Sequence, residues 1–238
     1  MLTLALDTTT RAGSAAVLDG ETVLAVVEGD AGHTHGERLP GELDAALRRA
    51  GVAPRDVQLL AVAVGPGAFT GLRIGLAAMQ GLATVLNIQV VGVSALEALA
   101  LAVAESPACA TGRIATWVDA HRGEVFAALY TALPTKSHPV DPVGDVIVAE
   151  PGVVLGQWPA EGAVPTSFTG DGAVRYRDDI ARHTNGKASV FDPPSALAPF
   201  LGQLGQARAR RGEAGPPHAL RPMYVRRPDA ELVRLNRP

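Results

Sequence analysis

Three short groups of acidic, hydroxyl and glycine residues each follow an apolar segment of this chain. Asp7 precedes Thr8 and Thr9, Asp119 ends a second apolar segment, and Gly170-Asp171-Gly172 follows a third. Carboxylates and hydroxyls in such turns can hold a metal-bound nucleotide phosphate, and glycines let backbone N–H groups approach it. Aspartate in a turn also commonly caps backbone amides, which gives Asp7 a purely structural alternative.

The turn after Asp119 is poorly suited to wrapping a phosphate. It reads Ala120-His121-Arg122, where a phosphate-binding hairpin would carry glycine and hydroxyl residues, and it is two residues shorter than the turn from Asp7 to Gly13. We therefore predict that one half of a phosphate clamp is missing. Binding of ATP or ADP is then weak at most, and the chain needs no cofactor of its own.

Histidine spacing gives no support for a metal centre. The only close pair, His33 and His35, lacks the four-residue helical spacing that brings two imidazoles to one metal. The first helix, expected over 37–50, contains no histidine. We predict no metal ion.

Nucleophilic and acid/base chemistry also lack a convincing set of residues. Ser94 and Ser195 precede predicted helices, where capping is the expected role. His121 lies beside Asp119 and Glu124, but side chains on a hairpin turn usually point to solvent. We predict no catalytic residue.

The elements that position these groups follow from apolar periodicity. In the first half the predicted order is three strands, then helix, strand, helix, strand and helix. Three antiparallel strands followed by strand-helix units form a mixed sheet with helices on its faces, which makes the fold α/β with a βββαβα core. The predicted strands are 3–7, 14–18, 22–28, 58–64 and 89–93, and the predicted helices are 37–50 or 40–50, 71–86 or 72–86, and 95–105.

Around residues 107–112 the periodic pattern stops, and a lobe boundary is expected there. A strand ending in Asp, a turn and a Gly then recur, as at the beginning of the chain, which indicates duplicated lobes at 1–106 and 107–238. The second lobe is expected to be smaller and partly degenerate, and its last helix can pack back on the first lobe. Its further predicted elements are a loop at 136–142, a strand at 146–148, at most a short helix at 152–155, a strand at 167–169, helices at 173–183 and 196–211, and an extended tail at 222–226.

The helix expected to begin at Gly71 or Leu72, with Thr70 as its cap, has a nearly apolar circumference. Its small residues Gly71, Gly75 and Ala78 share one strip on which another helix could come close. Two interpretations remain open: a helix wholly inside its own lobe, and a helix whose outer side is covered by a partner.

Composition limits the class of protein. The 238 residues are 47% hydrophobic and carry a net charge of −3, which gives no sign of a general nucleic-acid surface. We expect no membrane-spanning run and no secretion signal, and the single Cys109 suits a reducing cytoplasm. Arginines gather towards the end of the chain; a solvated tail is the favoured interpretation and RNA contact the alternative.

Several motifs in order along the chain resemble the TsaB (YeaZ) family. They are Leu6-Asp-Thr-Thr9, His33 with Glu37-Arg-Leu-Pro40, Gly65-Pro-Gly-Ala-Phe-Thr-Gly-Leu-Arg-Ile-Gly75, Asp119-Ala-His-Arg-Gly-Glu-Val-Phe126, Gly170-Asp-Gly172 and Pro222-Met-Tyr-Val-Arg226. The resemblance implies two duplicated lobes of the actin, sugar kinase and heat-shock ATPase type, a ribonuclease H-like fold.

The resemblance also implies a role in making threonylcarbamoyladenosine in tRNA. A protein of that family is the non-catalytic partner of the TsaD transferase, works with the ATPase TsaE through the TsaB-TsaD complex, forms a homodimer when alone, and meets tRNA only indirectly. TsaD carries a metal-binding histidine pair on its first-lobe helix, and the absence of that pair here argues for the partner. The predicted TsaD-binding surface comprises Leu39, Leu43, Leu47, Gly71, Ile74, Gly75 and Ala78.

Two alternatives come from other functional classes. One is an ATP-dependent phosphotransferase or carbamoyl-type enzyme that uses Asp7 and Asp119. The other is a peptidase, a label once given to relatives of this family, which ranks last because neither a metal pair nor a catalytic triad is evident.

Overall fold

A computed structural model describes residues 1–107, 112–133, 140–160 and 165–225. Cys109, residues 136–139 of the predicted loop, and the four arginines from Arg226 to Arg237 lie outside the described residues. All other predicted elements can be compared with the structure.

The first lobe is a five-stranded mixed sheet in the order β3-β2-β1-β4-β5. Strands β1, β2 and β3 are antiparallel, whereas β4 and β5 run parallel to β1. The elements are β1 (Leu2–Asp7), β2 (Ser14–Asp19), β3 (Thr22–Glu28), α1 (His35–Ala50), β4 (Leu59–Gly65), α2 (Phe69–Leu86), β5 (Gln89–Ser94) and α3 (Ala95–Ala104). The predicted order of elements is confirmed.

Both long helices of this lobe begin earlier than predicted. Helix α1 begins at His35 because Thr34 occupies the N-cap position and its backbone N–H donates to Glu37 Oε2 at 2.8 Å, as in a capping box. Helix α2 begins at Phe69 with Ala68 as N-cap, so the prediction that Thr70 caps it is wrong. Gly51 ends α1 in the left-handed conformation.

The second lobe repeats the first. Its six-stranded sheet has the order β8-β7-β6-β10-β11, in which β6, β7 and β8 are antiparallel and β10 and β11 run parallel to β6. The sixth strand, β9, also pairs with β7. The equivalent strand order confirms the predicted duplication and the α/β fold with two lobes. The elements are β6 (Arg113–Asp119), β7 (Val125–Ala132), β8 (Val140–Pro142), β9 (Ile147–Ala149), α4 (Pro151–Ala160), β10 (Ser167–Thr169), α5 (Asp171–Arg175), α6 (Arg177–His183), β11 (Ser189–Phe191) and α7 (Ala198–Arg210).

Four predictions for the second lobe were wrong in detail. Residues 140–142 form β8 rather than loop, and α4 is a helix of 10 residues rather than a single turn. The helix expected over 173–183 is divided at Tyr176, whose φ of −105° interrupts the α conformation. Strand β11 was missed, since three residues are too few to show alternation.

Helices α3 and α7 lie between the two lobes and share one hydrophobic core with both sheets. Helix α7 lies on the inner face of the first sheet, where Gly202 meets Leu18 and Ala5, and Gly205 meets Ala61. A Cβ on Gly205 would come within 2.6 Å of the Ala61 Cβ, so glycine allows the helix to approach the strand closely. Helix α7 is therefore a structural part of the first lobe.

Helices α1 and α2 cover the outer face of the first sheet. Leu72, Leu76 and Met79 of α2 join Leu39 and Leu47 of α1 in the core against β1 and β4. Among the described residues, α2 is the one helix that is long and apolar enough, by length and composition only, to cross a membrane. Because its inner residues pack on β4, its apolar character is that of a helix covering a sheet.

Candidate functional site: an interlobe cleft and an apolar helical face

A cleft of about 740 Å³ opens between the two lobes. Asp7 and Thr9 line it from the first lobe, and Asp119 and Asp171 line it from the second. The structure therefore brings four of the seven predicted nucleotide-binding residues together. Thr8, Gly170 and Gly172 are not among the lining residues.

Asp7 is engaged by its own turn. Its Oδ1 accepts hydrogen bonds from the Thr9 backbone N–H at 2.8 Å and from the Thr9 hydroxyl at 2.6 Å. Asp7 is 2% exposed, and burial raises the pKa of its carboxyl above the usual value, although the Thr9 hydrogen bonds act in the opposite direction. These contacts confirm the capping interpretation of Asp7.

Asp119 also has protein partners. Its Oδ2 accepts from Arg175 Nη1 at 2.7 Å, and its Oδ1 accepts from the His121 backbone N–H at 3.1 Å. The Asp119 side chain is 13% exposed, whereas that of His121 is 85% exposed, as expected for a residue at a hairpin turn. A metal-bound phosphate would have to compete with a guanidinium for the Asp119 carboxylate.

The glycine-aspartate-glycine turn has a packing role. A Cβ on Gly170 would lie 2.1 Å from the Trp117 carbonyl oxygen, and one on Gly172 would lie 3.0 Å from the same atom. Asp171 Oδ1 accepts from the backbone N–H groups of Asp119 at 3.0 Å and of Gly172 at 2.8 Å. Glycine at positions 170 and 172 thus lets β10 and α5 approach β6, and the hydrogen bond from the Asp119 N–H to Asp171 stabilises this packing.

Neither predicted serine cap forms a capping hydrogen bond through its side chain. Ser94 occupies the N-cap position of α3, but its buried Oγ forms no capping hydrogen bond. Ser195 donates to Glu28 Oε1 at 2.7 Å, and the start of α7 is capped instead by Ser14, whose Oγ accepts from the N–H groups of Leu197 and Ala198. The cap of α7 therefore comes from the first lobe.

His35 lies within α1, so the statement that the first helix contains no histidine is wrong. It is 8% exposed, and its Nε2 lies 2.9 Å from the Thr10 carbonyl oxygen. The position one helical turn later is Leu39, so α1 still lacks a histidine pair. Among the described residues, no group of three or more His, Cys, Asp and Glu side chains is placed to hold a metal ion.

Four of the seven residues predicted to bind TsaD face the interior of their own lobe. Leu39 and Leu47 belong to the core, at 2% and 6% exposure. Gly71 and Gly75 are also buried, because the Thr8–Thr10 turn packs against them. Placing these four on an open partner surface was wrong: apolar periodicity identifies a shared face but not what covers it.

The outer positions of α2 form a different apolar surface, which we call the outer stripe. Ile74 and Ala78 are half-buried, and Ala77 and Gly81 are exposed. Val85 is 81% exposed, the largest exposed fraction among the large hydrophobic side chains of the described residues. The i, i+4, i+8 spacing of residues 77, 81 and 85, all apolar or small, was the signal in the sequence that could have identified this surface.

The half-buried Leu43 of α1 packs against the same core as Ile74. A Cβ on Gly36 would lie 4.0 Å from Ile74 Cδ1, which places the start of α1 next to the outer stripe. Leu43, Ile74 and Ala78 are therefore the three residues of the predicted surface that remain partly accessible.

Comparison with known proteins places the chain among two-lobed tRNA-modification proteins. The family model described as "TsaD: tRNA N6-adenosine threonylcarbamoyltransferase" matches residues 26–184. The TsaB protein of Bacillus subtilis is 31% identical over 242 residues, covering 97% of this chain and 96% of that protein. The TsaB protein of Escherichia coli is 35% identical over 130 residues, 55% of each chain.

Solved structures agree with this placement. YeaZ from Pseudomonas aeruginosa matches with a TM-score of 0.78 and 29% identity, covering 94% of this chain and 99% of that one. A protein from the same organism, described as similar to peptidase YEAZ, matches with a TM-score of 0.80 and 30% identity over the same shares of the two chains. The fold and the cleft define a two-lobed protein of the group that the TsaD model describes. Within that group, the chain belongs to the TsaB (YeaZ) family.

Proposed function

We propose that this protein is a non-catalytic subunit for the biosynthesis of threonylcarbamoyladenosine in tRNA, acting in the cytoplasm by binding and activating the TsaD transferase. The relatives from Bacillus subtilis and Escherichia coli are named tRNA threonylcarbamoyladenosine biosynthesis protein TsaB, which supports the pathway. TsaE would join through the complex of this protein with TsaD, and tRNA would be held mainly by the other subunits.

The observation that carries the proposal is the outer stripe of α2. Its continuous apolar surface, ending in the 81% exposed Val85, is not covered by the described part of the chain. Contiguous apolar surface of this kind marks a protein-binding site. The same stripe would hold a second copy of the chain when TsaD is absent, since two apolar helix pairs can pack as a four-helix arrangement.

Two carboxylates of the cleft are already bound by other groups of the chain, which supports a non-catalytic role. Asp7 is buried and bound by Thr9, and Asp119 is paired with Arg175. Neither carboxylate is presented as an open ligand for a metal-bound triphosphate, so nucleotide binding would be weak.

Replacing Gly81 with arginine tests the partner surface. A Cβ at Gly81 meets no atom within 4 Å, so the substitution leaves the fold intact while placing a long cation on the outer stripe. We expect Gly81→Arg to abolish co-elution with TsaD in size-exclusion chromatography. The matched control is Gly152→Arg in α4 of the second lobe, where a Cβ also meets nothing within 4 Å. Equal co-elution of both variants would refute this surface.

The rival function is an ATP-dependent phosphotransferase or carbamoyl-type enzyme using Asp7 and Asp119. The convergence of both residues on one cleft of about 740 Å³ favours it. Calorimetry with Mg-ATP on the isolated chain separates the two functions, because tight binding together with turnover would support the enzyme. A peptidase remains the least supported function.

A further inference from the structure

Basic side chains from both lobes line the cleft. Arg11 lines it from the β1–β2 turn, and His121 and Arg122 line it from the β6–β7 turn, and all three residues are exposed. The second turn holds His121 and Arg122 at φ values of 58° and 56°, a left-handed conformation that side-chain-bearing residues rarely adopt. The Glu124 N–H donates to the His121 carbonyl oxygen at 3.0 Å, so these values belong to the tight hairpin turn between β6 and β7.

Aromatic rings line another part of the same cleft. Phe69 and Tyr224 are 41% and 43% exposed, and their ring centroids lie 5.5 Å apart with the planes tilted by 35°. The Arg73 guanidinium lies 3.8 Å from the Phe69 centroid, and Arg73 Nε donates to the Tyr224 hydroxyl at 3.2 Å. Half-exposed rings beside a guanidinium are the surface on which nucleic-acid bases stack.

The carboxylates that line the cleft disfavour a highly charged nucleotide. Asp7, Asp119 and Asp171 also line it, and a triphosphate entering without a metal would face their like charge. A phosphodiester carries a single negative charge and needs no metal. The basic side chains and the two rings line the same cleft of about 740 Å³.

We propose that the cleft binds one unpaired nucleotide of an RNA strand, with the base stacked on Phe69 and Tyr224 and the phosphodiester held by Arg11, Arg122 and His121. This adds a direct RNA contact to the function proposed above, and it does not depend on the outer stripe of α2. The net charge of −3 gives no general attraction for RNA, so the proposed contact depends on these basic side chains.

The first test compares three probes by fluorescence anisotropy and competition: a labelled 12-nucleotide single-stranded RNA, the same strand annealed to its complement, and AMP. We expect the single strand to bind at least 10-fold more tightly than the duplex and AMP to compete poorly, because stacking requires an unpaired base. Equal binding of strand and duplex, AMP competing as well as RNA, or no detectable RNA binding would each overturn the proposal.

The second test separates the cations from the rings. Arg122→Gln should reduce the slope of log K against log salt by about 0.7, the contribution of one single-strand phosphate contact. The control Arg182→Gln changes a side chain of α6 that is 77% exposed and should leave the slope unchanged. An unchanged slope in Arg122→Gln would overturn the assigned phosphate contact.

Tyr224 provides a matched pair of ring variants. Tyr224→Leu should weaken RNA binding by about 5-fold or more, the range for loss of one stacked base, whereas Tyr224→Phe should retain the affinity. If Tyr224 served only to fasten the C-terminal segment through its hydroxyl, both variants would behave alike, which would overturn the stacking role. Phe69→Leu is the second variant, and circular dichroism establishes that each variant is folded.

Discussion

Gly75 is the most informative position at which to test the close packing of α2 against the β1–β2 turn, which lines the cleft. Helix α2 packs against the β1–β2 turn so closely that a Cβ on Gly75 would lie 2.2 Å from Thr8 Oγ1 and 3.0 Å from Thr8 Cγ2. Thr8 is fully buried, and its neighbours Asp7 and Thr9 are tied by two hydrogen bonds. Because neither the backbone of α2 nor the turn that carries Thr8 can move easily, Gly75→Ala should destabilise the protein.

Two opposing effects set the magnitude. Replacing a helical glycine with alanine normally stabilises by about 1 kcal/mol. Overpacking a well-packed core costs about 1–3 kcal/mol, and a contact of 2.2 Å belongs at the upper end. The net destabilisation is then about 1–2 kcal/mol. For a chain of this size each kcal/mol lowers Tm by about 2–4 °C, so Tm should fall by about 2–8 °C.

Thermal unfolding followed by circular dichroism measures this shift, and Gly81→Ala on the same helix is the control. A Cβ at Gly81 meets nothing within 4 Å, so Gly81→Ala should raise Tm by about 2–4 °C through helix propensity alone. In a Thr8→Ala background the removed hydroxyl, which has no hydrogen-bond partner, relieves much of the Gly75→Ala penalty. Similar Tm values for Gly75→Ala and Gly81→Ala would refute the close packing of α2 on the turn.

Two further substitutions test the interior of the first lobe. Ser14→Ala removes the acceptor for the buried N–H groups of Leu197 and Ala198, so chemical denaturation should show that the free energy of unfolding falls by about 2–4 kcal/mol. A decrease below about 0.5 kcal/mol would contradict this packing of α7. Asp7→Asn should stabilise the protein at neutral pH, because burial raises the folded-state pKa of Asp7 and the ionised form therefore disfavours folding. That advantage should shrink as the pH falls towards the ordinary Asp value of 3.8, where Asp7 becomes protonated in both states; a pH-independent difference in urea-unfolding free energy would exclude the assigned cause.

Long periodic segments made the first lobe predictable. The apolar runs of β4 and α2 led to the observed order of elements, and Asp19-Gly20, between β2 and β3, is typical of a tight hairpin. The start of α1 was also readable in principle, since Thr34 and Glu37 have capping-box spacing, but Pro40 suggested a later start. In the second lobe, strands β8 and β11 have three residues each and owe their conformation to neighbouring strands.

Residues of the cleft could be predicted individually, but their partners could not. Asp7 and Asp119 were identified from their positions at strand ends. The partner of Asp119, Arg175, is 56 positions away in the sequence, and only the folded second lobe brings it within 2.7 Å. Tyr224 reaches Arg73 across 151 positions for the same reason. Long-range contacts of this kind leave no periodic signal in the sequence.

Gly71 and Gly75 were wrongly assigned to the partner surface because α2 has two apolar sides with different neighbours. Its glycine strip resembles a surface for a partner helix, but Gly71 and Gly75 pack against Thr8 of the β1–β2 turn. Small residues are needed there because the turn that carries Asp7 must pass close to the helix backbone. A partner can therefore contact only the opposite side, where Ala77, Gly81 and Val85 recur at helical spacing. A partner that displaced α2 would also displace the Asp7–Thr9 turn, because no layer of side chains separates the helix backbone from Thr8.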